Sequence, residues 1–195
     1  IGRWNTAKVT SMSNAFIGAS SFNGDLSHWN VERLNNIAHI FEGADSFNAD
    51  ISRWNVERVT SMQSAFRDAS HFNADIRSWN TSRVTILTRT FQGASRFDRD
   101  ISSWSVERVA SIESAFHNAD GISLCSAYNI ERSWTLQGAG VDTDVISNIF
   151  PSTRPVNCTC TLVDTNALLY INYLIENDDD GIGCETIGSW DTSRI

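Results

Sequence analysis

The chain has 195 residues, a formal net charge of −8 at pH 7 and 41% hydrophobic residues. The negative charge disfavours nucleic acid and anionic membrane surfaces as partners, because both are negatively charged themselves. No apolar run approaches the roughly 20 residues that a membrane-spanning helix needs. Any membrane association would therefore have to come from an anchor outside this sequence.

A strict 25-residue period organises the N-terminal part of the chain. A tandem repeat of this length is typical of a stack in which each unit buries its apolar face against its neighbours. We therefore predict that two aromatic rows form structural ladders in a shared core. An exposed tryptophan row would instead be a ladder for stacking sugars or peptides. The rows are Trp4, Trp29, Trp54, Trp79 and Trp104, and Phe16, Phe41, Phe66, Phe91 and Phe116.

Two charged rows and one amide row recur at the same period. The carboxylates are expected either to accept backbone N–H bonds at a turn or to neutralise the cationic row. A calcium ladder is the alternative, but calcium-binding repeats usually carry Gly-rich turns that these units lack. The amide row is predicted to hydrogen-bond between units. The rows are Asp25, Asp50, Asp75 and Asp100; Lys8, Arg33, Arg58, Arg83 and Arg108; and Asn23, Asn48, Asn73 and Asp98.

The unit from Val59 to Trp79 reads Val-Thr-Ser-Met-x-x-Ala-Phe-x-x-Ala-Ser-x-Phe-Asn-x-Asp-Ile-x-x-Trp. It resembles the repeat of the BspA-like leucine-rich-repeat surface proteins, over residues 1 to about 122. The resemblance implies an exported solenoid used in adhesion or partner binding. It supplies no catalytic residues, and it carries no binding residues over because no motif defines them.

The expected fold class is an α/β solenoid, a right-handed leucine-rich-repeat-like coil with one short parallel strand and one short helix or 3₁₀ turn per repeat. Phe-Asn-x-Asp-Ile-Ser is predicted to be the strand. Thr-Ser-Met-x-x-Ala-Phe-x-x-Ala is predicted to be the helix, because Met62, Ala65, Phe66 and Ala69 follow helical spacing.

Three regions are expected along the chain. Residues 1–132 are tandem repeats, the last one degenerate with Tyr128 in the tryptophan position. Residues 133–186 are a Cys-containing insertion or cap, and residues 187–195 begin a further repeat. Because the sequence opens and closes within a repeat, a longer array with its signal peptide or anchor elsewhere is expected.

The cysteines predict disulfides and an oxidising compartment. Cys158 and Cys160 are poorly placed to join each other, so we expect each to pair with Cys125 or Cys184. Reduced, buried cysteines are the alternative.

Two sequons agree with export. They are Asn157-Cys158-Thr159 and Asn80-Thr81-Ser82. Asn157 is the stronger glycosylation candidate, because Asn80 adjoins the tryptophan at position 79.

An acidic run at residues 177–181 suggests a calcium loop but fails the EF-hand pattern. With Gly181 as the sixth loop residue, Ile187 occupies the twelfth position, where a glutamate is needed. Asp178 and Asp180 are weak calcium candidates, and a solvated acidic turn is favoured. No cofactor is expected.

The predicted function is a non-enzymatic cell-surface or secreted repeat protein that mediates adhesion or binds a protein or surface glycan through a solenoid face. An enzyme is disfavoured because the sequence has no phosphate-binding glycine loop, nucleophile elbow or metal-ligand motif. The alternatives are an accessory scaffold region of a larger enzyme or receptor, and a calcium-stabilised structural solenoid.

Overall fold

The computed structural model describes residues 1–138. Its single described helix is α1 (Leu124–Leu136), and its only described β-structure is a set of isolated parallel bridges. These bridges join residues 11, 36, 61, 86 and 111 in succession. No helix within residues 1–138 is long and apolar enough to cross a membrane. The region predicted for residues 187–195 and most of that predicted for residues 133–186 lie outside the described residues.

Each repeat is a chain of tight turns, which bring its two ends close enough to start the next repeat. In every such turn a backbone N–H donates to the carbonyl three residues earlier. In the third repeat the donors are Trp54, Val59, Ala65, Arg67, Ala69 and Phe72, and the N···O distances run from 2.9 to 3.2 Å.

Two turns in each repeat place their third residue in the left-handed backbone region, as a type II turn requires. At the first of these positions φ is 50° for Ser64 and 56° for Arg89. At the second it is 67° for Gly43 and 56° for Asp68. A left-handed residue at a fixed place in each unit accounts for the glycines that recur at positions 18, 43 and 93.

The strand and the helix predicted for each repeat do not form in the described repeats. In the described repeats the Phe-Asn-x-Asp-Ile-Ser segment forms no strand, and the segment at residues 60–69 forms no helix. The left-handed residues Ser64 and Asp68 prevent continuous helical bonding. The N–H groups of residues 62, 64, 66 and 68 instead donate to the carbonyls of residues 86, 88, 90 and 92, at 3.0, 2.9, 2.9 and 2.7 Å. The segment predicted to be a helix is therefore the segment through which neighbouring repeats form backbone hydrogen bonds.

Aromatic side chains fill the space enclosed by the turns. Phe66 has no exposed surface, and its ring lies 3.9 Å from that of Phe72 within the same repeat. The Phe66 ring also stacks on Phe41 at 5.9 Å and on Phe91 at 5.7 Å in the neighbouring repeats. Such offset stacks add to the apolar area that burial removes from water. The core is therefore continuous from one repeat to the next.

The tryptophan row lies at the edge of this core, and each indole ties two repeats together. The Nε1–H of Trp79 donates to the Ile51 carbonyl at 3.2 Å, and that of Trp104 donates to the Ile76 carbonyl at 3.0 Å. Trp29, Trp54, Trp79 and Trp104 are buried, whereas Trp4 in the first repeat is 63% exposed. The row thus serves packing and backbone hydrogen bonding together.

Helix α1 covers the end of the fifth repeat. Ser123 caps the helix by accepting a hydrogen bond from the Ser126 N–H, and the Asp98 carboxylate accepts from the Ser123 N–H at 2.9 Å. Farther along α1, the Ser133 hydroxyl donates to the Ser102 carbonyl at 2.7 Å, and the Gln137 amide just after it bonds to backbone groups of the fifth repeat. The Ser102 carbonyl is the equivalent of those of Ser52 and Arg77, which accept from side chains of the next repeat, so α1 takes the place of a further repeat there, as a capping element does.

Trp134, and not Tyr128, occupies the tryptophan place at this end. Its ring lies 5.8 Å from Phe116 at an interplanar angle of 40°. The corresponding pair one repeat earlier, Phe91 of the fourth repeat and Trp104 of the fifth, has values of 6.0 Å and 43°. Trp134 is fully buried, and Tyr128 is half-buried. The helix changes the chain spacing, so the indole arrives at a later position than the repeat period predicts.

Replacing Phe66 by alanine should lower the free energy of unfolding by about 3–5 kcal/mol, the usual cost of emptying a buried aromatic site. The same substitution at half-buried Phe16 in the first repeat should cost less. Chemical denaturation of both variants measures the difference. Equal losses would contradict a continuous aromatic core centred on the inner repeats.

Replacing Gly43 by alanine isolates the cost of the left-handed backbone. A Cβ there would meet nothing closer than the Gly18 Cα at 3.5 Å, so no clash is introduced. We expect a loss of about 1 kcal/mol, because a side chain disfavours positive φ. Gly43→Asn is the matched control. Asparagine tolerates this region, and Asn118 occupies the equivalent position with a φ of 58°. A loss for Gly43→Asn as large as that for Gly43→Ala would contradict the backbone explanation.

Replacing Asp98 by asparagine tests the cap. Burial alone would raise the pKa of Asp98, but hydrogen bonds from Ser123 and Ser126 outweigh it, and the pKa is lowered. A lowered folded-state pKa means that the carboxylate stabilises the fold above its unfolded pKa of about 3.9, and that this is lost as pH falls through the folded value. We therefore expect Asp98→Asn to cost about 1 kcal/mol at pH 7, because a helix N-terminus favours negative charge.

The difference between wild type and Asp98→Asn should vanish at low pH in denaturation curves recorded from pH 7 to pH 2. Asp120→Asn, at an exposed carboxylate, removes the same charge elsewhere and is the control. A pH-independent difference would show that the carboxylate charge does not stabilise the cap.

Candidate functional site: a cationic groove

A groove of about 490 Å³ runs across the first four repeats. We call it the cationic groove; it is lined by Thr10, Arg33, Asn35, Arg58 and Arg83. Its charged lining residues all carry positive charge, and it has no aromatic lining. The groove is open to solvent, so it suits an elongated ligand more than an enclosed small molecule.

A buried turn holds each arginine of the groove. The Val59 N–H donates to the Val56 carbonyl at 2.9 Å, and both side chains are buried. Asn55 Oδ1 accepts from the Glu57 N–H at 3.1 Å, which fixes the entry to the turn. Arg58 therefore stands at an exposed corner between two core anchors. The equivalent turns place Arg33 and Arg83 in the same way.

The side chains of the cationic row are exposed and have no ionic partner within residues 1–138. Lys8, Arg33, Arg58, Arg83 and Arg108 are all exposed, and none forms a salt bridge with a described residue. Arg33, Arg58 and Arg83 line one groove in three successive repeats. Like charges on neighbouring repeats repel each other, so an anion between them would relieve the repulsion.

Three arginines outside the row are paired. The Arg67 guanidinium contacts the Glu42 carboxylate at 3.1 Å, and that of Arg77 contacts Asp75 at 2.8 Å. Arg99 donates to the Asn73 carbonyl at 2.9 and 2.7 Å. The exposed Arg3, Arg53, Arg89 and Arg96 form no salt bridge with a described residue, so what distinguishes the cationic row is its recurrence at one repeat position.

Three glutamates adjoin the row along the chain. Glu32, Glu57 and Glu107 each precede a row arginine and are exposed, whereas Arg83 follows Ser82. None of the three glutamates lines the groove or forms a salt bridge with a described residue. The positive lining is therefore local, within a surface that also carries negative charge.

The Asp row binds the backbone of its own turn. Asp25, Asp50 and Asp100 accept a hydrogen bond from the N–H two residues later at 2.9, 2.9 and 3.0 Å. Hydrogen bonds from Ser27 and Ser52 lower the pKa of Asp25 and Asp50, and the Arg77 guanidinium lowers the pKa of Asp75 to about 2. Within the described residues no member of this row is paired with the cationic row. Of the two structural roles expected for these carboxylates, the geometry corresponds to the turn.

The amide row links successive repeats. Asn23 Oδ1 accepts from the Asn48 N–H at 2.9 Å, and Asn48 Oδ1 accepts from the Asn73 N–H at 2.8 Å. Asn73 in turn accepts from the Asp98 N–H at 3.1 Å. The row ends at Asp98, whose carboxylate accepts from the Ser123 N–H at the start of α1.

Several predicted site residues lie outside the described residues. These are the calcium candidates Asp178 and Asp180, the glycosylation candidate Asn157, and the cysteines at 158, 160 and 184. Cys125 lies in α1, and the disulfide pairing scheme stays a prediction. The second glycosylation candidate, Asn80, is exposed, and its Oδ1 accepts from the Ser82 N–H at 3.1 Å.

The sequence pattern revealed the cationic row but not the groove. The cationic residues visibly recur at one repeat position, but the aspartates recur at the same period, which suggested that the two rows neutralise each other. The sequence signal against such pairing is the serine or arginine two residues after each aspartate, because this residue supplies a hydrogen-bond donor to the carboxylate.

The comparison with protein families finds one matching description, "Mycoplasma protein of unknown function, DUF285", over residues 1–69 and 33–129. The two overlapping matches cover the stacked repeats and the first turn of α1. No curated protein and no solved structure matches the chain.

Proposed function

The chain belongs to the DUF285 family, and we propose that it is a non-enzymatic, cell-surface or secreted repeat protein that binds another protein or a surface glycan through one face of its stack. We propose further that the repeats form a right-handed, leucine-rich-repeat-like solenoid of the BspA-like kind. In-register hydrogen bonds between repeats and the continuous aromatic core support this architecture. Turns take the place of the helix that such coils usually carry.

The observation that carries the proposal is the cationic row itself. Its members recur at one position although they are exposed, contribute no buried packing and pair with no described acid. The exposed position just before each tryptophan varies between repeats instead, with Arg3, His28, Arg53, Ser78 and Ser103. A fixed charge without a folding role indicates a ligand, and a solenoid presents such a row as an extended surface.

We propose an oxidising location outside the cytoplasm, because the four cysteines of the sequence are predicted to form disulfides. The resemblance to BspA-like surface repeats points the same way. A protease-protection assay tests this part of the proposal. Protease added to intact source cells should degrade the protein, or the protein should be found in the medium. Full protection until the cells are lysed would contradict it.

The binding role is tested with the purified full chain on two immobilised panels, extracellular proteins and surface glycans. We expect saturable binding to at least one panel member, weakened in an Arg58→Gln/Arg83→Gln variant. The matched control is Arg3→Gln/Arg53→Gln, which removes the same charge from exposed positions outside the groove. Absence of saturable binding to both panels would contradict the proposal.

A further inference from the structure

We infer that the cationic groove binds an acidic glycan, a linear polysaccharide that carries carboxylate or sulfate groups at regular intervals. This inference rests on the proposed binding function and names its ligand class. Its basis is the joint placement of Arg33, Arg58 and Arg83 in one groove, in register along three successive repeats.

Guanidinium groups select the anionic part of the ligand. Arginine presents a planar set of N–H donors that matches carboxylate and sulfate oxygens in pairs. The three groove arginines have no acidic partner within residues 1–138, so their donors are available to a ligand. Because one arginine of each of three successive repeats lines the groove, the ligand must present anionic groups repeatedly along its length. A single small anion would leave part of the arginine row without an anionic partner.

The polar residues beside the arginines suit a hydroxyl-rich chain. Thr10 and Asn35 line the groove, and Thr60 and Thr85 continue the same row in the next repeats. The hydroxyls of Thr60 and Thr85 donate to the carbonyls of residues 35 and 60 at 3.2 and 3.1 Å. Their oxygens therefore remain as acceptors for sugar hydroxyl groups. The threonine and asparagine side chains would thus hydrogen-bond to the uncharged hydroxyl groups of the glycan.

An acidic peptide fits this face less well. Peptides that bind along a sheet edge pair their backbone with unpaired N–H and C=O groups. Here the backbone beside the groove is already paired between repeats, since Thr60 N–H donates to Asn35 C=O at 2.9 Å and Thr85 N–H to Thr60 C=O at 2.8 Å. The groove lining also contains no apolar side chain that could hold peptide anchors.

Nucleic acids and anionic membranes fit less well too. Single-stranded nucleic acids stack their bases on exposed aromatic rings. The groove has no aromatic lining, and Trp29, Trp54 and Trp79 are buried. The net charge of −8 opposes long-range attraction of any polyanion, so the ligand must be held by contacts inside the groove, which a flat membrane surface does not enter.

The inference is tested by calorimetric titration of the full chain with two probes at low salt, heparin fragments as the sulfated glycan and polygalacturonate fragments as the carboxylated one. We expect binding of at least one probe that weakens as salt is raised. The Arg58→Gln/Arg83→Gln variant should lose about tenfold in affinity, since charge-assisted hydrogen bonds to both side chains disappear. Which probe binds identifies the anionic group.

The control variant Arg3→Gln/Arg53→Gln should bind as wild type does, and circular dichroism should show both variants folded. Equal losses in the two variants would overturn the inference, because attraction would then be unspecific. Tighter binding of polyglutamate, single-stranded DNA or phosphatidylserine vesicles than of either glycan would overturn it as well. If neither glycan binds but a protein on the panel does, the ligand class is wrong and the binding function stands. If nothing binds, both fail.

Discussion

The hydrogen bonds between successive repeats fix everything else in this structure. Along residues 62–68 alternate backbone N–H groups donate to carbonyls 24 residues ahead, and the same pattern holds in the neighbouring repeats. Because each bond needs its partner at one offset, the repeat length is fixed at 25 residues. A shift of one residue would break the ladder and move the aromatic rings out of their stacks. The strict period in the sequence is the consequence of this requirement.

The same register orders the surface. Residues at one repeat position face the same direction in each unit, so a polar or charged side chain becomes a row. Rows that bond between units, such as Asn23, Asn48 and Asn73, stabilise the stack. The aspartates bond to their own turns. Arg33, Arg58 and Arg83 do neither, and they line the cationic groove. We propose a binding role for that row on this basis.

The sequence allowed the rows to be predicted, but not the local backbone. Met62, Ala65, Phe66 and Ala69 follow helical spacing because consecutive turns also return every three or four residues to the core. The distinguishing signal was the glycine at positions 18, 43 and 93, replaced by Asp68 and Asn118 in the other repeats. A residue that must adopt positive φ within the segment is incompatible with a helix. At the C-terminal end, α1 displaced the tryptophan to position 134, which no period could reveal.

Amide hydrogen exchange at single-residue resolution tests the in-register ladder most directly. A ladder in this register predicts slow exchange at Met62, Ser64, Phe66 and Asp68, whose N–H groups donate to carbonyls of the fourth repeat. It predicts fast exchange at Arg58, which lies at an exposed turn. Replacing Trp104 by alanine, in the fifth repeat, should speed exchange at these four sites by loosening the fourth repeat. If exchange at these four sites is unchanged in the Trp104→Ala variant, the ladder between repeats is contradicted. The four amides would then be hydrogen-bonded within their own repeat.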